Sequence, residues 1–527
     1  MYKILDKFSK LFGSRKGYLL IIFIFYLVFI ILSSLTYLTK TYGPSHFEDE
    51  VLYWNAAKTL ASGQFSAAEY HHYPPLYPIS LAPVFILFSS ARVYEAAKIL
   101  NAIYISSVIF PVYLICRLFL DKKQSLLASI LVMLLPTQIV ISRSMISENI
   151  FYPLFFWTLY LAFVEIFPNN KKILNFQNIL LGILSGFLVL TRYIGLAVVP
   201  GIWLIWWLRP SSNINTPFLF SRNKIKQAFS IFIPFAVLVG GWVILGRLEN
   251  ISMLNMLGFG ITAAPSKLGS SGLLNWIVFY LAYTILIAAP FLGILLTSLS
   301  RMIPKNWCGA FSRWLIAILI ICLVFLIPVI RHSYRAAYNF PEPTKIQGRY
   351  ILYFAPLFII TVFAAIKNID FSKISYSSRI FQMFLSVILI IAAFLIIVRG
   401  ILILDKPLPP SINSPDGYLF QVFDFYYPLV SILLVAITMF VPATRKSILR
   451  IIYPLSLAGL YICGSVMVFN KLLLPRQINN YQVNELIKAV DSKYTYQIDP
   501  RDMQLILTMP VQSTYSNQSK WEYTLRF

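Results

Sequence analysis

Residues 18–38 read YLLIIFIFYLVFIILSSLTYL, from Tyr18 to Leu38, with no charged side chain. A helix of about 20 such residues is long enough to cross the hydrocarbon of a bilayer. Lys3, Lys7, Lys10, Arg15 and Lys16 precede it. A secretory signal would have a shorter apolar core followed by a small-x-small cleavage site, and Leu35-Thr36-Tyr37 is a poor one. The segment therefore reads as an uncleaved first span with its N-terminus inside.

Further apolar segments follow at 95–118, 124–141, 149–167, 179–191, 194–208, 228–247, 273–297, 314–330, 350–366, 380–398, 426–441 and 451–469. With the first they predict about thirteen crossings, and an odd number puts the C-terminus outside. Composition agrees. Of 527 residues, 58% are hydrophobic and only 12% charged, where soluble domains run near one quarter. The mean hydropathy is +0.73, so lipid is the solvent and a single water-soluble core is excluded.

A formal charge of +24 would point to nucleic acid on a soluble protein. Here the basic residues stand between apolar runs, where the positive-inside rule and anionic lipid headgroups account for them. No basic-aromatic pattern for single strands stands apart from the spans, and nucleic acid is rejected as a partner. The predicted inner loops carry Arg117, Lys122 and Lys123; Lys171 and Lys172; Arg209, Arg222, Lys224 and Lys226; Arg301, Lys305 and Arg313; Lys367, Lys373 and Arg379; and Arg445, Lys446 and Arg450. Carboxylates gather instead in the outer segments, among them Glu48, Asp49, Glu50, Glu69, Glu148, Glu249, Glu342 and Asp424. Cys116, Cys308, Cys322 and Cys463 show no CxxC spacing and read as apolar fillers.

Three outer regions exceed simple connectors. Residues 39–94 hold a short helix predicted from Glu50 to Ala61. They also hold an apolar stretch from Leu76 to Phe88, too short for a span and expected to lie in the interface. Residues 331–349 form an Arg-rich loop. Beyond the membrane domain, 1–469, the tail 470–527 is expected to be a small extracytoplasmic α+β appendage, with a helix over Val483–Val490 and strands over Leu505–Met509 and Trp521–Phe527.

The chemistry concentrates in His46-Phe47-Glu48-Asp49-Glu50-Val51-Leu52-Tyr53-Trp54. Three adjacent carboxylates repel one another unless cations or hydrogen bonds compensate. The plainer reading is a solvated loop whose acids favour the N-terminus of the helix that follows. Arg349 has no such plain account. It opens a span entered from outside, where the helix dipole and the charge rule both disfavour a cation, so an anion for it to bind is expected. Arg192 falls in an outer turn between two short spans, as an anion ligand or as a snorkelling side chain. Ser147 and Glu148 fit either an ordinary hydroxyl-capped helix start or a role beside the first acids. His71, His72 and His332 lack metal-ligand spacing.

Asp49-Glu50-x-x-Tyr53, Ala61-Ser62-Gly63 and Tyr73-Pro74-Pro75-Leu76-Tyr77 together resemble the first outer loop of C-type (GT-C) glycosyltransferases. The nearest by pattern are the dolichyl-phosphate-mannose protein mannosyltransferases and the bacterial transferases that put aminoarabinose on lipid A. The resemblance continues through Ser147-Glu148-Asn149, Gly186 to Thr191-Arg192, and Arg349-Tyr350, and it covers the chain to about residue 370. It implies an all-α polytopic GT-C-like fold and a polyprenyl-phosphate sugar as donor. Asp49 would be the catalytic base with Glu50 as its supporting acid, and Glu148 would approach the pair from the second outer loop. Glu48 is an extra acid that the family pattern does not require. His71-His72-Tyr73 stands where some relatives have an acid or lysine, so the acceptor can differ.

The chemistry agrees with the resemblance. Transfer needs a carboxylate to take the acceptor's proton and cations to hold a phosphate that is already a good leaving group. Arg192 and Arg349, helped by Arg331, Arg335 and Lys345, are the donor-phosphate candidates; Tyr53, His72 and Tyr73 complete the predicted binding set. Some C-type transferases use a divalent cation, but the relatives named generally do not, and no metal or other cofactor is predicted. The expected partners are the lipid-linked donor, a lipid, glycan or protein acceptor, and membrane lipids. The expected location is a prokaryotic plasma membrane with the active site extracytoplasmic. The rival reading, a transporter or flippase of a lipid-linked or anionic substrate, would put its charges within spans, whereas here they stand at span ends.

Overall fold

In a computed structural model of the chain, the described residues are 20–22, 24–26, 28, 47–65, 73–88, 93–142, 144–164, 171–209, 222–259, 270–301, 310–339, 345–346, 348–369, 374–398, 411–412, 423, 425–440 and 446–468. The helices in chain order are α1 (Phe47–Ala61), α2 (Leu76–Leu87), α3 (Val93–Ser106), α4 (Ile109–Cys116), α5 (Lys122–Met133), α6 (Pro136–Ser142), α7 (Glu148–Phe163), α8 (Lys171–Thr191) and α9 (Gly195–Trp207). They continue with α10 (Arg222–Leu248), α11 (Met253–Met256), α12 (Ser270–Ala288), α13 (Leu292–Arg301), α14 (Ala310–Asn339), α15 (Phe354–Asn368), α16 (Tyr376–Val398), α17 (Tyr426–Phe440) and α18 (Lys446–Val468). Two-residue strands β1 (Lys345–Ile346) and β2 (Ser411–Ile412) pair in parallel.

The chain is an all-α polytopic membrane protein. Six helical stretches among the described residues are long and apolar enough to cross a bilayer: Ala96–Cys116, Asn223–Leu248, Leu273–Ser300, Ala310–Tyr334, Gly348–Asn368 and Tyr376–Val398. The other expected crossings fall on shorter or interrupted helices, or on residues outside the described set. Pro136 begins α6 and breaks the run expected at 124–141, because a proline supplies no N–H to continue the preceding helix. Of the expected first span, residues 20–22, 24–26 and 28 are described and are helical. The expected appendage at 470–527 lies outside the described residues.

One expectation is corrected. Residues 331–339 are not loop but the last turns of α14. Arg331 to Asn339 contains no glycine or proline to stop the helix, and Pro341 then disfavours helix at the residue before it.

An apolar face suited to lipid is exposed on α10, where Phe229, Phe232, Ile233, Val237 and Ile244 form a stripe of helical spacing. The opposite side of this helix lies against α8 so closely that a Cβ on Gly182 would stand 2.1 Å from the Ile231 carbonyl oxygen. Only glycine permits that approach. Further inside, Phe151, Tyr152, Phe155, Phe325 and Tyr353 pack ring on ring, with Phe325 stacked on Tyr353 at 4.7 Å. These rings join α7, α14 and the start of α15, and Tyr353 among them lies four residues after Arg349.

Candidate active site

Helix α1 places Asp49 and Tyr53 one turn apart, on one face. Tyr73, just before Pro74-Pro75, donates its hydroxyl to Asp49 Oδ1 at 2.6 Å. Its ring packs edge-on against Tyr53 at 5.0 Å, and Tyr53 in turn meets Tyr77 at 4.9 Å. The prolines end the loop, and α2 starts immediately after them. Glu50 is fully buried and accepts the Met145 backbone N–H at 3.1 Å. The side chain of Glu48 lies outside the described residues.

Of the two readings left open for Ser147 and Glu148, the hydroxyl cap is not formed. Ser147 makes no cap bond to α7, and its backbone is already helical. Its Oγ instead accepts from the Tyr53 hydroxyl at 2.8 Å, tying α1 to the start of α7 across 94 positions of sequence. A local cap and a long-range bond compete for the same oxygen, and burial beside Tyr53 favours the second.

Glu148, the first residue of α7, is buried and forms an ion pair with Arg192. Arg192 occupies the tight turn between α8 and α9, closed by a bond from Gly195 N to its carbonyl at 2.9 Å. Being itself buried and paired, Arg192 is not a snorkelling side chain. Arg349 stands in the 3-10 turn Gly348–Ile351 that leads into α15. It pairs with Asp49 Oδ2 through one guanidinium nitrogen, and its Nε lies 3.8 Å from Glu148 Oε1. Both arginines lie over the ring of Tyr350, with centroid distances of 4.7 Å for Arg192 and 5.4 Å for Arg349. Two acids and two guanidinium groups thus form a chain, Asp49–Arg349–Glu148–Arg192, on an aromatic plate. Its charges balance, as burial requires.

Burial would raise the Asp49 carboxyl, but Arg349 beside it, the Tyr73 hydroxyl and Arg192 hold it below its ordinary value. Burial and the Asp49 charge push Tyr73 and Tyr53 above the ordinary phenol value, so both stay neutral donors. A carboxylate kept ionised between a phenol and a guanidinium can accept a proton, and paired guanidinium groups can hold a phosphate.

The remaining predicted residues stand as follows. Arg331 is exposed on α14, although His332 beside it packs edge-on against Tyr350 at 5.6 Å. Arg335 lies on α14 and Lys345 on β1, but their side chains are outside the described ones, as is His72 altogether. Among the described residues, no group of three or more His, Cys, Asp and Glu is placed to hold a metal ion. Sequence reasoning passed over Lys98 and Asn101, both buried in α3. Asn101 accepts from Tyr77 at 2.8 Å and donates to the Ser144 carbonyl at 3.2 Å. A lysine and an asparagine one turn apart inside an apolar run were the available signal.

No protein-family model matches the sequence, and no curated protein matches it significantly. In structure, the chain is similar to ArnT from Cupriavidus metallidurans bound to undecaprenyl phosphate, with a TM-score of 0.51 and 14% identity over 94% of this chain and 86% of ArnT. The chain shares the fold of this ArnT. The apo form of the same ArnT aligns at a TM-score of 0.48 and 13% identity, over 93% of this chain and 84% of that one. The Archaeoglobus fulgidus oligosaccharyltransferase in complex with zinc and sulfate aligns at 0.36 and 14%, over 76% and 57%.

Proposed function

We propose that this protein is an inverting glycosyltransferase, moving a sugar from a polyprenyl-phosphate donor to a hydroxyl or phosphate acceptor at the outer membrane face. The observation that carries the reading is the buried chain Asp49–Arg349–Glu148–Arg192, drawn together from four separate elements. A structural ion pair would need two of these residues. Four, beside a carboxylate held from its other side by Tyr73, give a base and an anion cradle in one place. ArnT, whose fold this chain shares, was crystallised bound to undecaprenyl phosphate, which supports a polyprenyl phosphate as the carrier.

In this reading the acceptor oxygen attacks the anomeric carbon from the face opposite the phosphate and gives its proton to Asp49. The guanidinium groups of Arg192 and Arg349 hold the phosphate as the glycosidic bond breaks, stabilising the charge that develops there. Tyr73 fixes the angle of the base, Glu50 anchors the start of α1 to the Met145 backbone, and Glu148 holds Arg192 until a phosphate takes its place. Arg331, Arg335 and Lys345 stand in or beside the segment leading to Arg349 and add positive charge near the donor. One displacement inverts the anomeric centre and needs one carboxylate, not the pair that hydrolysis uses.

The test is transfer from a panel of radiolabelled polyprenyl-phosphate monosaccharides, with purified protein and crude membrane acceptors. One donor should bind saturably, and label should pass to an acceptor with wild type but not with Asp49→Asn. Full transfer by that variant would overturn Asp49 as base. Absence of any donor binding would overturn the class and leave transport of a lipid or anion as the reading.

A further inference from the structure

The residues assigned to the phosphate are engaged with the residues assigned to the proton. Arg349 is bonded to Asp49 Oδ2, while Tyr73 occupies Oδ1 at 2.6 Å, so each oxygen of the base already has a donor. Arg192 is likewise ion-paired with Glu148. We propose that Arg349 masks the base in the free protein and that the donor phosphate, by drawing Arg349 away, unmasks Asp49. This rests on the glycosyltransferase reading above and adds an order to it: donor first, then a competent base.

Two features of the geometry favour an exchange over a shared contact. A phosphate brought to Arg349 while Asp49 is still bonded there would set two anions side by side in a buried place, which raises the cost of both. The guanidinium group has somewhere to go, because Tyr350 lies beneath both arginines and offers its face to Arg349 along the way. Tyr73 keeps its hold on Oδ1, so the freed Oδ2 stays aimed while it waits for the acceptor. The lowered Asp49 carboxyl of the free protein fits a masked base: an acid so well paired is a poor proton acceptor until its cation leaves.

The same exchange returns the base to its starting state. As the acceptor oxygen bonds to the anomeric carbon, the carbon–oxygen bond to phosphate breaks and its electron pair stays on the phosphate, which gains a second negative charge. The acceptor proton passes to Asp49, which loses its charge at the same moment. Arg349 is then held by the phosphate and not by the neutral acid. When the polyprenyl phosphate departs, Arg349 returns to Asp49 and drives the proton out to water.

The experiment measures the dissociation constant of undecaprenyl phosphate for wild type, Asp49→Asn and Glu148→Gln in detergent, with folding checked by size exclusion. Each variant frees an arginine from a charge-assisted competitor, so each should bind at least about tenfold more tightly than wild type. A general relief of repulsion would also tighten binding, so a second readout is needed. Infrared difference spectra of wild type with 13C-labelled aspartate should show an aspartate carboxylate band shifting when undecaprenyl phosphate is added. The shift should be missing in Asp49→Asn, or, if that variant does not fold, in Asp49→Glu. Equal or weaker affinity in the folded variants, or an unshifted band, overturns the masking. If wild type neither binds the lipid nor transfers sugar, the glycosyltransferase reading falls and the masking with it.

Discussion

Replacing Arg192 by methionine leaves Glu148, whose side chain is 2% exposed, without its partner. What remains nearby is Arg349, whose Nε is 3.8 Å away and whose other end is committed to Asp49. Breaking a buried pair from one side costs about 3–5 kcal/mol, because the surviving charge stays uncompensated or must take up a proton. The reverse removal, Glu148→Met, should cost less. Arg192 keeps the face of Tyr350 at 4.7 Å, and that contact is worth about 0.5–2 kcal/mol. Removing both residues as Arg192→Met with Glu148→Met eliminates the charges together. A buried pair replaced by apolar side chains is neutral or more stable by about 1–4 kcal/mol. The double variant should therefore be more stable than Arg192→Met alone, while losing transfer. The assay is a double-mutant cycle on unfolding in mixed micelles. Additive losses would refute the reasoning, since they would mean the two side chains do not sense each other.

Asp49→Asn should lower the melting midpoint at pH 7. The folded carboxyl lies below its ordinary 3.8, so its stabilisation is present above that value and lost as pH falls through the folded value. The gap between variant and wild type should stay constant at neutral pH and close only below about pH 4; a gap that closes near neutrality would refute the pairing. Tyr73→Phe removes a bond that lowers the Asp49 carboxyl and orients it. The acid limb of the pH–rate profile should move upward and turnover should fall, with donor affinity changed less than about threefold, as for an orienting group. Gly195→Ala would set a Cβ 2.7 Å from the Leu188 carbonyl group. The turn that presents Arg192 must open, costing about 1–3 kcal/mol and weakening phosphate binding; unchanged melting and binding would show the turn to be irrelevant to Arg192.

The apolar segments were legible because a bilayer demands long charge-free runs, and the helices fall on them within a few residues at, for example, 380–398 and 426–441. The breaks were less legible. The interruption between Ser106 and Ile109 lies within one apolar run, marked in the sequence only by Ser106-Ser107 and by Pro111, which has no N–H to offer the Ser107 carbonyl. Arg349 stood out because its position has no local justification. Glu148 did not, since Ser-Glu at a helix start already has a local use, and only Tyr53 reaching Ser147 shows that use to be vacant. The length of α14 was less legible because the apolar run stops at Ile330 while the helix continues through polar residues, among them arginines, which are good helix formers. Tyr353 is an aromatic among many in the sequence; its place under the site depends on packing that no local pattern encodes.

Arg349 meets Asp49 across 300 positions of chain. While the protein is being made and threaded into the membrane, the acid reaches its place long before its partner exists. Until residue 349 has emerged, Asp49 has the Tyr73 hydroxyl and the more distant charge of Arg192, but not the guanidinium that bonds its carboxylate. The contact therefore cannot form until synthesis has passed residue 349, and chains truncated before it should hold the first outer segment less firmly even when their helices are already inserted.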